Sequence, residues 1–528
     1  MSAETKGQTT IIKEQRAIEE QIELPDYDKK RKEALEQIDN AEFGWFHVRT
    51  CLVAGVGFFT DAYDLFAINI ASVMLGYVYF NSLKGSGPPS NIDLSIKVSA
   101  SVGNVIGQFG FGIIADMIGR KRIYGVELMI IVVGTVASAL SSDGRAVTIQ
   151  GCLIFWRFIM GLGIGGDYPL SAIFAMQGFG ILTAAIVATI AVVALKGPID
   201  SDPQNIDYAW RILLGMGAIP GVVALYFRLT IPETPRFTMD IERNIDQAAQ
   251  DITSVLSTGT YKNRDAEAIV IKVDAPKGTW SDFWNYFGKW ENGKVLLGTS
   301  LCWFFLDIAF YGIGLNNSII LHSIGYGAGD PYQTLFNISV GNIIIALLGT
   351  VPGYWVSVFT IDSWGRIPIQ KMGFIALFCL YLIMGFGFTP IKNASTVLFI
   401  VIFTLSQFFT NFGPNTTTFV LPGEVFPTRY RSTGHGISAA SGKIGAIVAQ
   451  VGFSKIKDLN GPNNGIGILL VILSSFMLIG FFLTFLIPET KRKTLEELSN
   501  ENQEGFVKGV GAAGEARAGL FAYRAGGN

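Results

Sequence analysis

The sequence predicts an all-α, polytopic membrane protein that crosses the bilayer twelve times, in two halves of six helices. Three observations carry this. Half of the 528 residues are hydrophobic and only 16% are charged, with a mean hydropathy of +0.40; a soluble domain carries roughly 25% charged residues. Apolar stretches long enough to cross roughly 30 Å of hydrocarbon, at about 20 residues each, recur along the chain. Two short motifs also recur in the same order in each half.

The apolar stretches lie near 50–76, 96–115, 123–141, 149–171, 174–195, 210–230, 294–319, 335–359, 371–390, 395–420, 435–455 and 465–487. That makes twelve when the long run 149–195 counts as two, and its length at about 1.5 Å per residue suffices for two short spans. The chain then divides into a tail (1–48), an N-terminal bundle (49–230), a hydrophilic central segment (231–292), a C-terminal bundle (293–488) and a second tail (489–528). Within the central segment, TWSDFWNYFGKW (279–290) mixes aromatic and charged residues. It reads as an amphipathic stretch lying in the inner interface.

Composition excludes several classes. A net charge of −2 gives no sign of a nucleic-acid partner. Cys51, Cys152, Cys302 and Cys379 are far apart, with neither a disulfide framework nor a metal-ligand spacing. Residues 1–45 are polar and lack the apolar core of a cleavable signal peptide. His47, His322 and His435 are scattered, no nucleophile–base pairing is visible, and no enzyme is expected. Arg120, Lys121 and Arg122, then Arg366 and Lys371, Arg429 and Arg431, and Lys491, Arg492 and Lys493 fall on alternate connections. The positive-inside rule then places both termini and the central segment in the cytoplasm.

The halves resemble each other. ADMIGRKR (115–122) follows the second span as IDSWGRIP (361–368) follows the eighth, and IPETPRF (231–237) ends the sixth as IPETKRK (487–493) ends the twelfth. The D-x-x-G-R turns read as ties between helix ends. The repeat also exposes a gap. From Asp116 to Ile231 the chain advances 115 residues, and from Asp362 to Ile487 it advances 125. The second half joins its fourth and fifth spans by PGEVFPTRYRSTG (422–434), where the first half has only the few residues around YPLSAIFA (168–175). The 4–5 connection is therefore a tight turn near Ala172–Phe174. A turn there places Tyr168 and Gln177 about 7 Å along their helices from it, whereas the midplane lies about 15 Å from the edge of the core. The expectation is an N-terminal wall out of register with the rest of the site.

Parallel six-span repeats are the architecture of the major facilitator superfamily, with the substrate site between the halves. GGDYPLSA (165–172) resembles the signature of its phosphate:proton symporter family, the fungal and plant high-affinity phosphate transporters. FFTDAYDLFAINI (58–70), GRKRIYGVELMI (119–130), WFFLDIAFYG (303–312), NFGPNTTTFVLPGEVFPTRYRSTGHG (411–436) and ASGKIGA (440–446) extend the resemblance over roughly 45–495. The departure is the missing charged stretch between PLSA and AMQGFG.

Among the charged residues inside spans are Asp61 and Asp64 on the first, Arg157 and Asp167 on the fourth, Asp307 on the seventh and Lys443 on the eleventh. Each costs about 2.5–3.5 kcal/mol to insert and so marks either function or internal pairing. Glu127 lies near the Arg120–Arg122 cluster and reads either as an interfacial charge or as part of a proton path. Trp303, Asp307 and Tyr311 share one helix face at four-residue spacing. Tyr168, Gln177 and Asn415 supply neutral donors, and Lys443 supplies positive charge. The glycines of GLGIGG (161–166) and GNVIG (103–107) read as close helix contacts. The resemblance implies that Asp307 is a phosphate and proton site with Tyr168, Gln177, Trp303, Tyr311 and Asn415 around the anion. It also implies that Asp61 or Asp64, with Asp167, takes part in the proton path.

Burial beside an anion disfavours a charged carboxylate, so protonation and phosphate binding favour each other. Dihydrogen phosphate also carries P–OH donors that sulfate lacks. The expected activity is therefore proton-coupled import of inorganic phosphate by a plasma-membrane carrier. It needs the lipid bilayer, no cofactor beyond the coupling proton and no obligate protein partner. The alternatives are a transport-impaired phosphate sensor, and a carrier of another small solute such as a sugar.

Overall fold

A computed structural model describes residues 45–80, 87–118, 125–168, 175–228, 280–327, 329–459, 461 and 463–498. The tight turn near Ala172–Phe174, the basic connection 119–124 and the central segment up to 279 lie outside the described residues. The first five spans are α1 (Trp45–Tyr79), α2 (Ser90–Ile118), α3 (Val126–Ala139), α4 (Ile149–Asp167) and α5 (Met176–Ala194). The sixth is split into α6 (Ile206–Gly215) and α7 (Ala218–Arg228), and α8 (Trp280–Phe287) precedes the second half. There follow α9 (Trp290–Gly314), α10 (Pro331–Ile345), α11 (Val351–Trp364), α12 (Arg366–Phe386), α13 (Thr396–Asn411), α14 (Pro414–Val425), α15 (Arg431–Ile456) and α16 (Ile466–Leu483). Among the described residues, ten helical runs are long and apolar enough to cross a membrane. The two remaining expected spans are α3, with 14 residues, and α15, which is long but carries Arg431, Lys443 and Lys455.

Three spans are broken, each for a local reason. Between α6 and α7, Gly217 lies against Asp64, whose Oδ1 would be 2.0 Å from an added Cβ. Between α10 and α11, residues Ala346–Thr350 form a π-helical turn ahead of Pro352. Between α13 and α14, Gly413 precedes Pro414, and a Cβ on Gly373 of α12 would lie 2.4 Å from the Pro414 ring. Broken helices in carriers cluster at the substrate site.

Glycine allows the tightest crossings. An added Cβ on Gly161 would be 2.1 Å from the Ala100 carbonyl, and one on Gly107 2.2 Å from that of Leu162, so α2 and α4 meet backbone to backbone. Across the halves, a Cβ on Gly436 of α15 would lie 2.4 Å from the Gln108 carbonyl of α2. At the opposite end of this pair, Ser90 Oγ lies 3.3 Å from Ser454 Oγ.

The motif repeat has a visible use at the basic end of the second half. Arg366 pairs with Asp362 at 2.8 Å and with Glu424 at 2.7 Å. Glu489 of IPETKRK accepts the backbone N–H groups of Arg366, Ile367, Thr490 and Lys491. Three helix ends, those of α11, α12 and α14, are thereby tied to the segment after α16. The matching Arg120 and Glu233 of the first half lie outside the described residues. Beside this network, α8 buries Phe283, Tyr286 and Phe287 against Val425, Phe426 and Tyr430, while Trp280, Trp284 and Trp290 are exposed. Asp282 anchors it to Arg429 at 2.8 Å and to the Tyr430 hydroxyl at 2.9 Å. The amphipathic reading of this stretch agrees with that division.

Candidate functional site

The buried charges of the C-terminal half meet where α9 crosses α15. Lys443, midway along α15, donates to Asp307 Oδ2 at 2.8 Å, and each residue is 1% exposed. A buried pair is neutral as a unit; removing one partner leaves an uncompensated charge and costs about 3–5 kcal/mol. The approach depends on Gly442, where a Cβ would stand 2.5 Å from Trp303 Cδ1 and 2.8 Å from Asp307 Oδ2.

Aromatic rings from both halves close around the ammonium. Lys443 Nζ lies 4.8 Å from the Tyr168 ring centre and 4.4 Å from that of Tyr311. Both distances are within cation–π range. The Tyr168 and Tyr311 hydroxyls are 3.4 Å apart. Phe66 of α1 stacks on Tyr311, and Phe58 of α1 meets Tyr168 and Phe419 edge-on. Trp303 packs against Phe419 and His435. Next to this cage runs a relay of amides. Asn415 Nδ2 donates to the Tyr354 hydroxyl at 2.7 Å and to Asn411 Oδ1 at 2.7 Å. Tyr354 in turn donates to Gln177 Oε1 at 2.9 Å.

The structure thus gathers all seven anticipated substrate residues, Tyr168, Gln177, Trp303, Asp307, Tyr311, Asn415 and Lys443, at the interface of the halves. It also corrects the expectation of an N-terminal wall out of register, since Tyr168 and Gln177 both reach groups of the C-terminal half. The reason lies in the helix ends. Near the end of α4, an added Cβ on Gly165 would lie within 2.7 Å of Asn104 O and Gln108 N of α2, which continues to Ile118. The last described turn of α4 therefore lies well inside the bundle, and Tyr168 reaches the site with a long side chain.

The other charges of the N-terminal half separate. Asp64 turns away from the interface and accepts the Thr135 hydroxyl of α3 at 2.5 Å. Asp61 lies close enough to Tyr311 to act on it electrostatically. Arg157 donates to two backbone carbonyls, Ile96 at 3.1 Å and Asp64 at 3.5 Å, and lies close enough to the Asp64 carboxylate to interact with it electrostatically. Glu127 is fully buried; its Oε1 accepts the Gly125 N–H at the start of α3. Gly163 and Gly166 of α4 pack on Glu127, and Asp167 follows them, buried.

Two groups escaped the sequence reading. Tyr354 looks like one more aromatic of an apolar span. Lys97 looks like an interfacial charge near a helix start, yet it is buried and bonds Asp93 at 2.8 Å and Asn316 at 2.9 Å. From Asn316 the bonds continue to Gln450 and on to the Tyr311 carbonyl. The i, i+4 spacing of Asp93 and Lys97 was the available signal.

Comparison with known proteins agrees with this architecture. The family model described as "Sugar (and other) transporter" matches residues 50–501. The repressible high-affinity phosphate permease of Neurospora crassa is 48% identical over 525 residues, covering 91% of each chain. An inorganic phosphate transporter of Saccharomyces cerevisiae is 45% identical, over 89% of this chain and 87% of its own. Among solved structures, the proton:xylose symporter XylE bound to 6-bromo-6-deoxy-D-glucose superposes with a TM-score of 0.60 at 19% identity. That alignment covers 85% of this chain and 97% of XylE, and it establishes the major facilitator fold. Transport rather than enzymatic catalysis is the activity of such proteins, and the chain is a multi-pass membrane protein that belongs to the sugar (and other) transporter family, alongside the fungal inorganic phosphate transporters.

Proposed function

We propose that this protein imports inorganic phosphate together with protons across the plasma membrane, by alternating access to the site between its halves. The observation that carries the reading is the buried Lys443–Asp307 pair inside a cage of tyrosines. A lysine paired with an aspartate has no net charge to offer an anion. A proton on Asp307 releases the ammonium to bind dihydrogen phosphate, and an anion on Lys443 makes that proton easier to hold. Each event favours the other, which is the coupling that symport requires.

In this reading Tyr168, Gln177, Trp303, Tyr311 and Asn415 surround the anion with hydroxyl and amide groups. Asp61 is the aspartate of the first span that lies nearer the site, while Asp64 is engaged by Thr135. Asp64 beside Arg157, and Glu127 beside the end of α4 that carries Asp167, are further buried charges of the N-terminal half available to carry protons onward. The end bearing Arg366, Arg429 and Lys491 faces the cytoplasm, as do both termini. A neutral sugar gains nothing from a buried charge pair, and the site favours an anion.

Purified protein in vesicles tests this. Labelled phosphate should accumulate when the outside is acidic, and excess sulfate or xylose should leave the uptake unchanged. Uptake of xylose in place of phosphate would overturn the proposal.

A further inference from the structure

We propose that Tyr354 is a positioning and specificity residue of the phosphate site, fixing which ends of the Gln177 and Asn415 amides face the anion. The inference rests on the assignment of Gln177 and Asn415 to that site.

A phenol has one hydrogen to donate and lone pairs to accept with. Tyr354 spends its hydrogen on Gln177 Oε1 and accepts from Asn415 Nδ2. The relay therefore has a direction. It occupies the oxygen of Gln177 and leaves that side chain its two N–H donors. It also occupies the nitrogen of Asn415, whose other hydrogen goes to Asn411 Oδ1, and leaves its carbonyl oxygen. One amide is left to donate to a P–O⁻ oxygen and the other to accept from a P–OH group. Without the hydroxyl the Gln177 amide is free to turn by 180° and present its oxygen to the anion, and Asn415 keeps only its bond to Asn411 Oδ1. Dihydrogen phosphate has both kinds of group, and sulfate lacks the P–OH.

Two features of the sequence put the hydroxyl there. The π-helical turn Ala346–Thr350 and Pro352 precede it, and a π turn rotates the faces of the helix that follows. On the other half, Gly178 leaves room for the ring, since a Cβ there would be 2.7 Å from Tyr354 Cδ2. Gln177 and Gly178 are thus a single device, one residue accepting the hydroxyl and the next seating the ring that carries it.

The test uses the full chain in vesicles. Tyr354→Phe keeps the ring and removes only the hydroxyl. The phosphate KM should rise about tenfold, about 1.4 kcal/mol, with kcat within about twofold, and discrimination against sulfate should fall by a similar factor. Gln177→Ala added to Tyr354→Phe should do little more, because the amide it removes is already unfixed. Gly178→Ala, which displaces the ring and keeps the hydroxyl, should reproduce the rise in KM. An unchanged KM and sulfate discrimination in Tyr354→Phe, or full additivity with Gln177→Ala, would overturn the positioning role. Failure of the underlying site assignment looks different: Gln177→Ala alone would then leave the phosphate KM unchanged.

Discussion

Asp307 and Lys443 share one bond in a place where neither charge is stable alone, and Gly442 sets how closely their helices approach. Any side chain at Gly442 must displace the Trp303 ring or the Asp307 carboxylate, since both lie well inside contact distance of a Cβ. Gly442→Ala should therefore reduce phosphate uptake by at least about tenfold while the protein still reaches the membrane and elutes as a folded species. Uptake at the wild-type rate would mean that the close approach is incidental. Charges such as Asp307 and Lys443 were legible in the sequence because insertion makes each of them costly. Tyr354 was not legible, because a tyrosine in an apolar helix usually packs, and its role depends on a π turn that sequence periodicity does not reveal. The orientation of Arg157 was hidden for a related reason: its hydrogen bonds go to backbone carbonyls, which leave no mark on side-chain patterns.

Helices end where backbone groups need partners, and the IPET motif supplies them. The Glu489 carboxylate is partly buried, which opposes its charge, but four backbone N–H groups from Lys491, Ile367, Arg366 and Thr490 outweigh this and hold it below the usual glutamate range. A carboxylate with a depressed folded value contributes stability above its unfolded value and loses it as the pH falls through the folded one. Glu489→Gln should therefore lower the melting temperature at neutral pH, and the gap to wild type should close below about pH 4. A gap that persists unchanged into acid would show that the charge does not matter there. At this scale the sequence was most informative where a motif occurs twice. It was least informative about helix ends inside the bundle. The last described turn of the fourth span lies near the level of Gln108, and no periodicity within 149–195 marks that depth.

Across the whole molecule the halves are held together at several levels: Ser90 with Ser454, Lys97 with Asn316, Tyr168 with Tyr311, Tyr354 with Gln177, and Gly436 with Gln108. Alternating access requires these contacts to break in sets, those of one end while those of the other persist. The topology proposed above puts the basic end in the cytoplasm. A cysteine introduced within 245–265 should resist an impermeant reagent added outside intact cells and react once they are permeabilised; labelling from outside would invert the topology. The proposed coupling of proton and phosphate at Asp307 is tested most directly by Asp307→Asn, because the amide mimics only the protonated state. In vesicles, this variant should lose accumulation driven by an acidic exterior and yet exchange internal for external labelled phosphate. Full pH-dependent accumulation by Asp307→Asn would contradict the account.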